Sequence, residues 1–354
     1  MHFLTSLRGV AALLVVLYHI KHWLHEYPVI EMFGFLYNKG YLAVDFFFVL
    51  SGFIIAFNYR EKFHQSFTLK KYLTFIYKRF ARIYPLHIFI LICFLSIPLA
   101  YIITGKALNQ GMYSISGYAA KVFLVDLWLV GSSFWSTWNV PSWTISGEFF
   151  SYLLFPLLAN LAGKGVTRNL FILSLCSLLI ALSYELIGAR SLGDNIPELG
   201  LLRCSASFCI GVCVFNLYSA GKHKSDYVYR PLFFILAILL VVLILYVQEN
   251  HFYTPTLMGL MLLSLIKYRG LLHQFLEWTP LVKLGDISYS VYLTHSLILI
   301  WFNLLFVENG VTPSLGEISL YLVLVLVMSV FTYYLVEIPS RRWLNNQLEK
   351  RVIK

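Results

Sequence analysis

The chain has 354 residues, of which 59% are hydrophobic and only 12% charged, against roughly 45–50% apolar and about 25% charged in soluble domains. These values exclude an ordinary soluble domain and make lipid the solvent for most of the chain. The formal charge of +10 does not indicate a nucleic-acid partner, because the Lys and Arg residues sit in short connections between apolar runs, where they set orientation in a membrane.

Segments long enough to cross a hydrocarbon core of ~30 Å at ~1.5 Å per residue run over residues 3–24, 41–59, 83–104, 141–162 and 169–188. Five more follow at 199–219, 231–248, 252–267, 287–307 and 317–338. The first imitates a secretory signal but has no small-residue cleavage site and carries Arg8 and His19 within its apolar stretch, so it is expected to remain as a span. Residues 118–131 are too short to cross and are expected at the outer interface or as a re-entrant piece packed inside the bundle.

Loop charges support that count. With ten spans, one side collects Arg60, Lys62, Lys70, Lys71, Lys78, Arg79, Arg82, Lys164, Arg168, Lys222, Lys224, Arg230, Lys267, Arg269 and Lys283, together with Arg341, Arg342, Lys350, Arg351 and Lys354 of the tail. The other side holds only Lys21, Lys39, Lys106, Lys121 and Arg190. The positive-inside rule then puts both termini in the cytoplasm. The expected fold is all-α: a polytopic transmembrane helical bundle of about ten spans, one membrane domain over residues 1–354. Residues 60–82 would form a basic cytoplasmic loop with an interfacial helix, and residues 339–354 a cytoplasmic tail. All five cysteines lie in apolar segments without disulfide spacing, and the Cys209 and Cys213 pair has no further ligand for a metal.

Ionisable side chains within spans are costly, so each is a functional candidate. Arg8 and His19 are eleven residues apart, three helical turns plus ~20° and a rise of ~16 Å, so they share a face with Arg8 nearer the cytoplasm. Asp45 and Glu148 enter on the second and fourth spans from the outer side, at a depth close to that of His19. Thr144, Glu148, Ser151 and Tyr152 follow one helical face. A histidine flanked by carboxylates is a candidate proton acceptor. Toward the cytoplasm Arg79 and Arg82 open the third span, and with Arg8 they could hold the phosphates of a cytosolic donor. Ser288, Tyr292 and His295 form a polar stripe that could line a passage between the two layers. Asp126, Glu185 and Arg203 are expected to be structural or interfacial, and His87 to pack.

These residues resemble those of the membrane acyltransferase-3 family. Leu7-Arg8-Gly9-Val10-Ala11 through Tyr18-His19 look like its first span, and Asp45-Phe46-Phe47-Phe48-Val49-Leu50-Ser51-Gly52-Phe53 is similar to its second-span motif. Arg79, Arg82 and Pro85 resemble the basic motif before its third span, and Pro141-Ser142-Trp143-Thr144-Ile145-Ser146-Gly147-Glu148 the segment that carries its acidic residue. Ile287-Ser288-Tyr289 with Tyr292 and His295, then Glu337, Pro339 and Arg342, look like its closing motifs.

The resemblance implies transfer of an acyl group, usually acetyl, from cytosolic acyl-coenzyme A to a hydroxyl of a surface carbohydrate, with lipopolysaccharide O-antigen the first acceptor to consider and a bacterial inner membrane as the location. Acyl-coenzyme A, a carbohydrate or lipid-linked glycan and membrane lipids are the expected partners, with no permanently bound cofactor and no metal. Some relatives carry an appended periplasmic SGNH-type domain; none is seen in this sequence, so any acyl relay is expected within the membrane domain or through a partner. His19 is the expected catalytic base, steadied by Asp45 or Glu148, and Arg8, Arg79 and Arg82 the expected acyl-coenzyme A ligands. Ser51 or Ser146 could carry the acyl group, but neither has an activating partner at helical spacing, so direct transfer is the simpler expectation. The alternative is a transporter or flippase that uses the buried charges as its path.

Overall fold

The computed structural model describes residues 2–105, 107–221, 226–246, 252–267, 270–307 and 311–352, and these contain helices and connections but no strand. Ten principal helices succeed one another: α1 His2–His19, α2 Ala43–Gln65, α3 Leu69–Phe94, α4 Trp143–Ala162, α5 Val166–Leu186, α6 Ile196–Ala220, α7 Asp226–Tyr246, α8 Thr254–Lys267, α9 Ser288–Phe306 and α10 Leu315–Thr332. A tail helix, α11, covers Ile338–Val352. Among the described residues eight helical segments are long and apolar enough to cross a membrane, and the two shorter apolar helices, Pro231–Val242 and Thr254–Lys267, coincide with the seventh and eighth expected spans. Of the charges counted in the sequence, Lys106, Lys222, Lys224, Arg269 and Lys354 lie outside the described residues.

Helix ends follow local chemistry. Thr68 caps α3 by accepting the backbone N–H of Lys71 at 3.3 Å, and Ser314 with Glu317 forms a reciprocal capping box at the start of α10. The basic segment 60–82, expected as a loop, is helical apart from residues 66–68: its first part extends α2 and its second begins α3. Arg79 and Arg82 are thereby fixed on a helix that continues unbroken through Pro85 to Phe94.

Close backbone contact sets the register of the bundle. A Cβ on Gly52 of α2 would lie 2.0 Å from the Phe208 carbonyl oxygen of α6, and one on Gly211 of α6 would lie 1.9 Å from that of Val49. Only glycine permits this approach, the small-residue packing that replaces the hydrophobic drive inside a membrane. Likewise a Cβ on Gly285, in the short helix Thr279–Asp286, would lie 1.8 Å from the Thr5 carbonyl of α1. Arg8 and Ser51 each neighbour a glycine, Gly9 or Gly52, at such a contact.

Residues 118–131 pack in part into the bundle, with Phe123, Leu129 and Val130 left exposed. Leu124 and Leu127 are each 1% exposed, and Lys121 Nζ reaches Asp126 at 2.7 Å and the Trp135 carbonyl at 3.0 Å. His87 Nε2 of α3 donates to the Lys121 carbonyl at 2.9 Å, so His87 holds this segment.

Candidate active site

Five elements converge on a cavity of about 190 Å³. Arg8 comes from α1 and Arg79 with Arg82 from α3; Thr144, Glu148 and Tyr152 come from α4, and Ser288, Tyr289 and Tyr292 from α9. One wall is α2 from Val44 to Ile55, a rise of ~16 Å along that helix. The α4 stripe Thr144, Glu148, Tyr152 faces the cavity as helical periodicity requires; Ser151 instead is buried and donates to the Gly147 carbonyl at 2.9 Å.

Glu148 sits in a cluster of hydroxyls. Ser51 Oγ donates to its Oε1 at 2.6 Å and Tyr152 Oη to the same oxygen at 2.5 Å, while Ser51 Oγ and Tyr152 Oη are 3.3 Å apart. Oε2 has no hydrogen-bond partner among the described residues. The next residue back, Gly147, is pressed against Cys204 of α6, where a Cβ would meet the sulfur at 2.5 Å.

The three arginines differ in what already neutralises them. Arg82 forms an ion pair with Glu337, a residue 2% exposed that also accepts from Ser290 Oγ at 2.9 Å. Glu337 ends a π-helical turn, Tyr333–Glu337, which interrupts the regular helix between α10 and α11. Arg79 donates to the Tyr59 hydroxyl at 3.1 Å and lies over that ring, while its Nε is buried without a partner. Arg8 makes no hydrogen bond or ion pair among the described residues. An unpaired guanidinium in a cavity is a ready site for an anion.

His19, the last residue of α1, is not a cavity wall. Its Nδ1 lies 2.8 Å from the Val15 carbonyl; a carbonyl can only accept, so the proton sits on Nδ1 and the lone pair on Nε2. The expected carboxylates do not flank it. Its ring is in edge contact with His295, centroids 4.8 Å apart, and His295 in turn meets Tyr292 at 5.9 Å. The His295 Nε2 is buried and unpartnered. Of the expected passage, Ser288 and Tyr292 do line the cavity, and His295 stands behind Tyr292. Tyr292 Oη donates to the Pro141 carbonyl at 3.1 Å and accepts from Thr144 at 2.9 Å.

Asp45 is turned away from His19 toward α6. Its two oxygens receive Arg203 Nε at 2.8 Å and Nη2 at 2.6 Å, in a pair that is 0% and 1% exposed. Arg203, expected to be structural or interfacial, is buried in the bundle and holds Asp45. Sequence spacing could not reveal this pairing because the partners are 158 residues apart. No signal in the sequence marks Tyr59, whereas Tyr289 stands in the Ile287-Ser288-Tyr289 motif.

A family model described as an acyltransferase domain matches residues 1–337. The chain belongs to this acyltransferase family. It is similar to the acyltransferase MdmB of Streptomyces mycarofaciens, 35% identical over 48% of this chain and 41% of that protein. It is also similar to the O-acetyltransferase OatA of Staphylococcus aureus, 24% identical over 96% of this chain and 57% of that protein. Protein 2 in the picA locus of Rhizobium radiobacter is 29% identical over 41% of this chain and 75% of its own length. The chain therefore spans about half the length of the first two relatives. No solved structure matches it. Membership of an acyltransferase family gives the transporter alternative no support, and the family match includes every cavity residue named above.

Proposed function

We propose that the protein is an integral membrane O-acyltransferase of about ten spans with both termini cytoplasmic, located in the bacterial inner membrane. It would move an acyl group, acetyl in the first instance, from cytosolic acyl-coenzyme A to a hydroxyl of a cell-surface carbohydrate such as lipopolysaccharide O-antigen. The observation that supports this reading best is the cavity in which the unpaired Arg8 and the partly satisfied Arg79 face Glu148 and its hydroxyls.

A second cavity of about 370 Å³ shares Arg79 and Arg82 with the first and adds Lys78 and Arg341. Small-molecule pockets commonly measure ~300–1,000 Å³, so the smaller cavity suits an acyl group on a narrow arm while the larger, whose four cations outnumber its one carboxylate, Glu349, suits a nucleotide handle. Arginine forks match phosphate oxygens well. His19 would take the acceptor's hydroxyl proton on Nε2, with the acceptor approaching past Tyr292 and His295.

The test is donor turnover by the purified protein in lipid nanodiscs, with free coenzyme A and acetylated O-antigen both followed by mass spectrometry. No thioester turnover would refute the donor; turnover with no acetylated glycan would refute the acceptor alone. Arg8→Ala removes a charged hydrogen-bond donor to the ligand, worth about 1.5–3 kcal/mol, so the donor KM should rise roughly 10- to 100-fold. His19→Ala should fold normally and leave the glycan unacetylated, and an unchanged acetylation level would remove its assigned role.

A further inference from the structure

The geometry points to Ser51 as a covalent acyl carrier, with Glu148 as the base that activates it; this rests on the donor and acceptor proposed above and adds an acyl-enzyme between them. A serine hydroxyl is a weak nucleophile unless a neighbouring base can take its proton. Ser51 has such a neighbour across the bundle, 97 residues away in the chain, at 2.6 Å. Both residues line the cavity that holds the unpaired Arg8.

The charge state of the base singles out this pair. Asp45 is neutralised by Arg203, Asp126 by Lys121 and Glu337 by Arg82. Glu148 forms no ion pair among the described residues; its hydrogen-bond partners are the hydroxyls of Ser51 and Tyr152. Ser290 also donates to a carboxylate, but that carboxylate is held by Arg82, and Ser290 is not a cavity wall. Ser146, the other serine considered from the sequence, is fully buried and donates to the Leu124 carbonyl at 2.8 Å. Glycine contact fixes the geometry on both sides, since Gly52 and Gly147 hold α2 and α4 against α6.

The steps balance. Ser51 Oγ attacks the thioester carbonyl while its proton passes to Glu148; the carbon–sulfur bond breaks, and the sulfur leaves as a thiolate among the cavity arginines. Glu148 then holds the proton for the life of the ester. When the acceptor oxygen attacks the ester carbonyl, its own proton leaves to the acceptor's base, His19 in the reading proposed above, the carbonyl–Oγ bond breaks and Glu148 returns its proton to Oγ. The imidazolium and the thiolate each exchange with water.

The full chain in nanodiscs, given radiolabelled acetyl-coenzyme A without acceptor, should acquire near-stoichiometric label on the Ser51 peptide, and added O-antigen should chase it off. Ser51→Ala should carry no label and lose transfer by about 10²-fold or more, and Glu148→Gln should slow labelling by roughly 10²–10⁴-fold. Ser51→Cys covers the case in which the alanine variant misfolds: its label should become a thioester cleaved by neutral hydroxylamine, a change that a merely structural serine would not produce. His19→Ala should accumulate label that the acceptor cannot remove. Transfer by the unaltered protein with no labelled intermediate, or undiminished transfer by Ser51→Ala, overturns the carrier and leaves the donor reading standing. Absence of both label and thiol release from the unaltered protein overturns the donor reading and the carrier with it.

Discussion

Breaking the Asp45–Arg203 pair tests whether Asp45 is a structural counter-ion or takes part in the chemistry. Arg203 makes four hydrogen bonds: two to Asp45, one to the Leu192 carbonyl at 2.6 Å and one to the Tyr41 carbonyl at 3.2 Å. Its guanidinium also lies 5.8 Å from the Trp143 ring centre. Asp45→Ala strands this charge in the interior, and removal of one partner from a buried pair costs about 3–5 kcal/mol. Asp45→Ala combined with Arg203→Met removes both charges and leaves only the two carbonyls short of a donor, at ~1–3 kcal/mol each at most. The double variant should therefore lose about 2–6 kcal/mol, comparable with either single variant and well short of the sum of the two, so that the effects are far from additive. Chemical unfolding in detergent, followed by tryptophan fluorescence, measures the coupling, with acyl transfer assayed on the same samples. If Asp45 only positions α2 against α6, activity should return in proportion to stability. A double variant that regains stability yet stays inactive would refute this reasoning and give Asp45 a direct chemical role, as would an Asp45→Ala protein as stable as the parent.

Two further predictions follow from packing and from charge outside the spans. Gly52→Ala places a methyl group 2.0 Å from the Phe208 carbonyl, where backbone cannot yield, so α2 and α6 must part; a loss of about 1–3 kcal/mol is expected in the same unfolding assay, and unaltered stability would contradict the contact. Between α1 and α2, Glu31 accepts from Tyr37, and from His25 at 2.7 Å. The Tyr37 hydrogen bond first, then His25, holds the Glu31 carboxyl below the usual range, while burial and the Glu31 contact push the Tyr37 phenol up to about 12. A depressed carboxyl stabilises above its ordinary pKa and ceases to do so as pH falls through the folded value; a raised phenol stabilises below its ordinary pKa and ceases as pH rises through about 12. Hydrogen exchange of residues 25–38 should accelerate at both limits, and Tyr37→Phe should shift the acid limb to higher pH; an acid limb that does not move would count against it.

Periodicity along a single helix was legible because it needs no knowledge of neighbours. Thr144, Glu148 and Tyr152 recur every four residues and do line one wall, and the expected approach of Arg8, Arg79 and Arg82 to a common level places all three at the cavity. Depth along a span does not fix facing. The sequence puts His19, Asp45 and Glu148 in one layer, but a helix turns 100° per residue, so similar depth says nothing about which neighbour a side chain faces. Asp45 faces α6, Glu148 faces α2, and His19 meets α9. The segment 60–82, whose charge suggests a cytoplasmic loop with an interfacial helix, is helical apart from residues 66–68, because long basic side chains on helix ends can keep their heads in the polar layer while the backbone stays helical.

The sequence alone therefore determined the helical class, the positions of the apolar segments and the inventory of costly polar groups, since these depend on local composition and on the need of every backbone amide in lipid to bond within its own segment. Tertiary structure decided which of those groups neutralise one another. Asp45 and Glu337 each meet an arginine brought in from a distant helix, and Glu148 meets a serine instead. That difference arises where glycines let particular helix faces touch, and it separates carboxylates held in ion pairs from one that meets only hydroxyls.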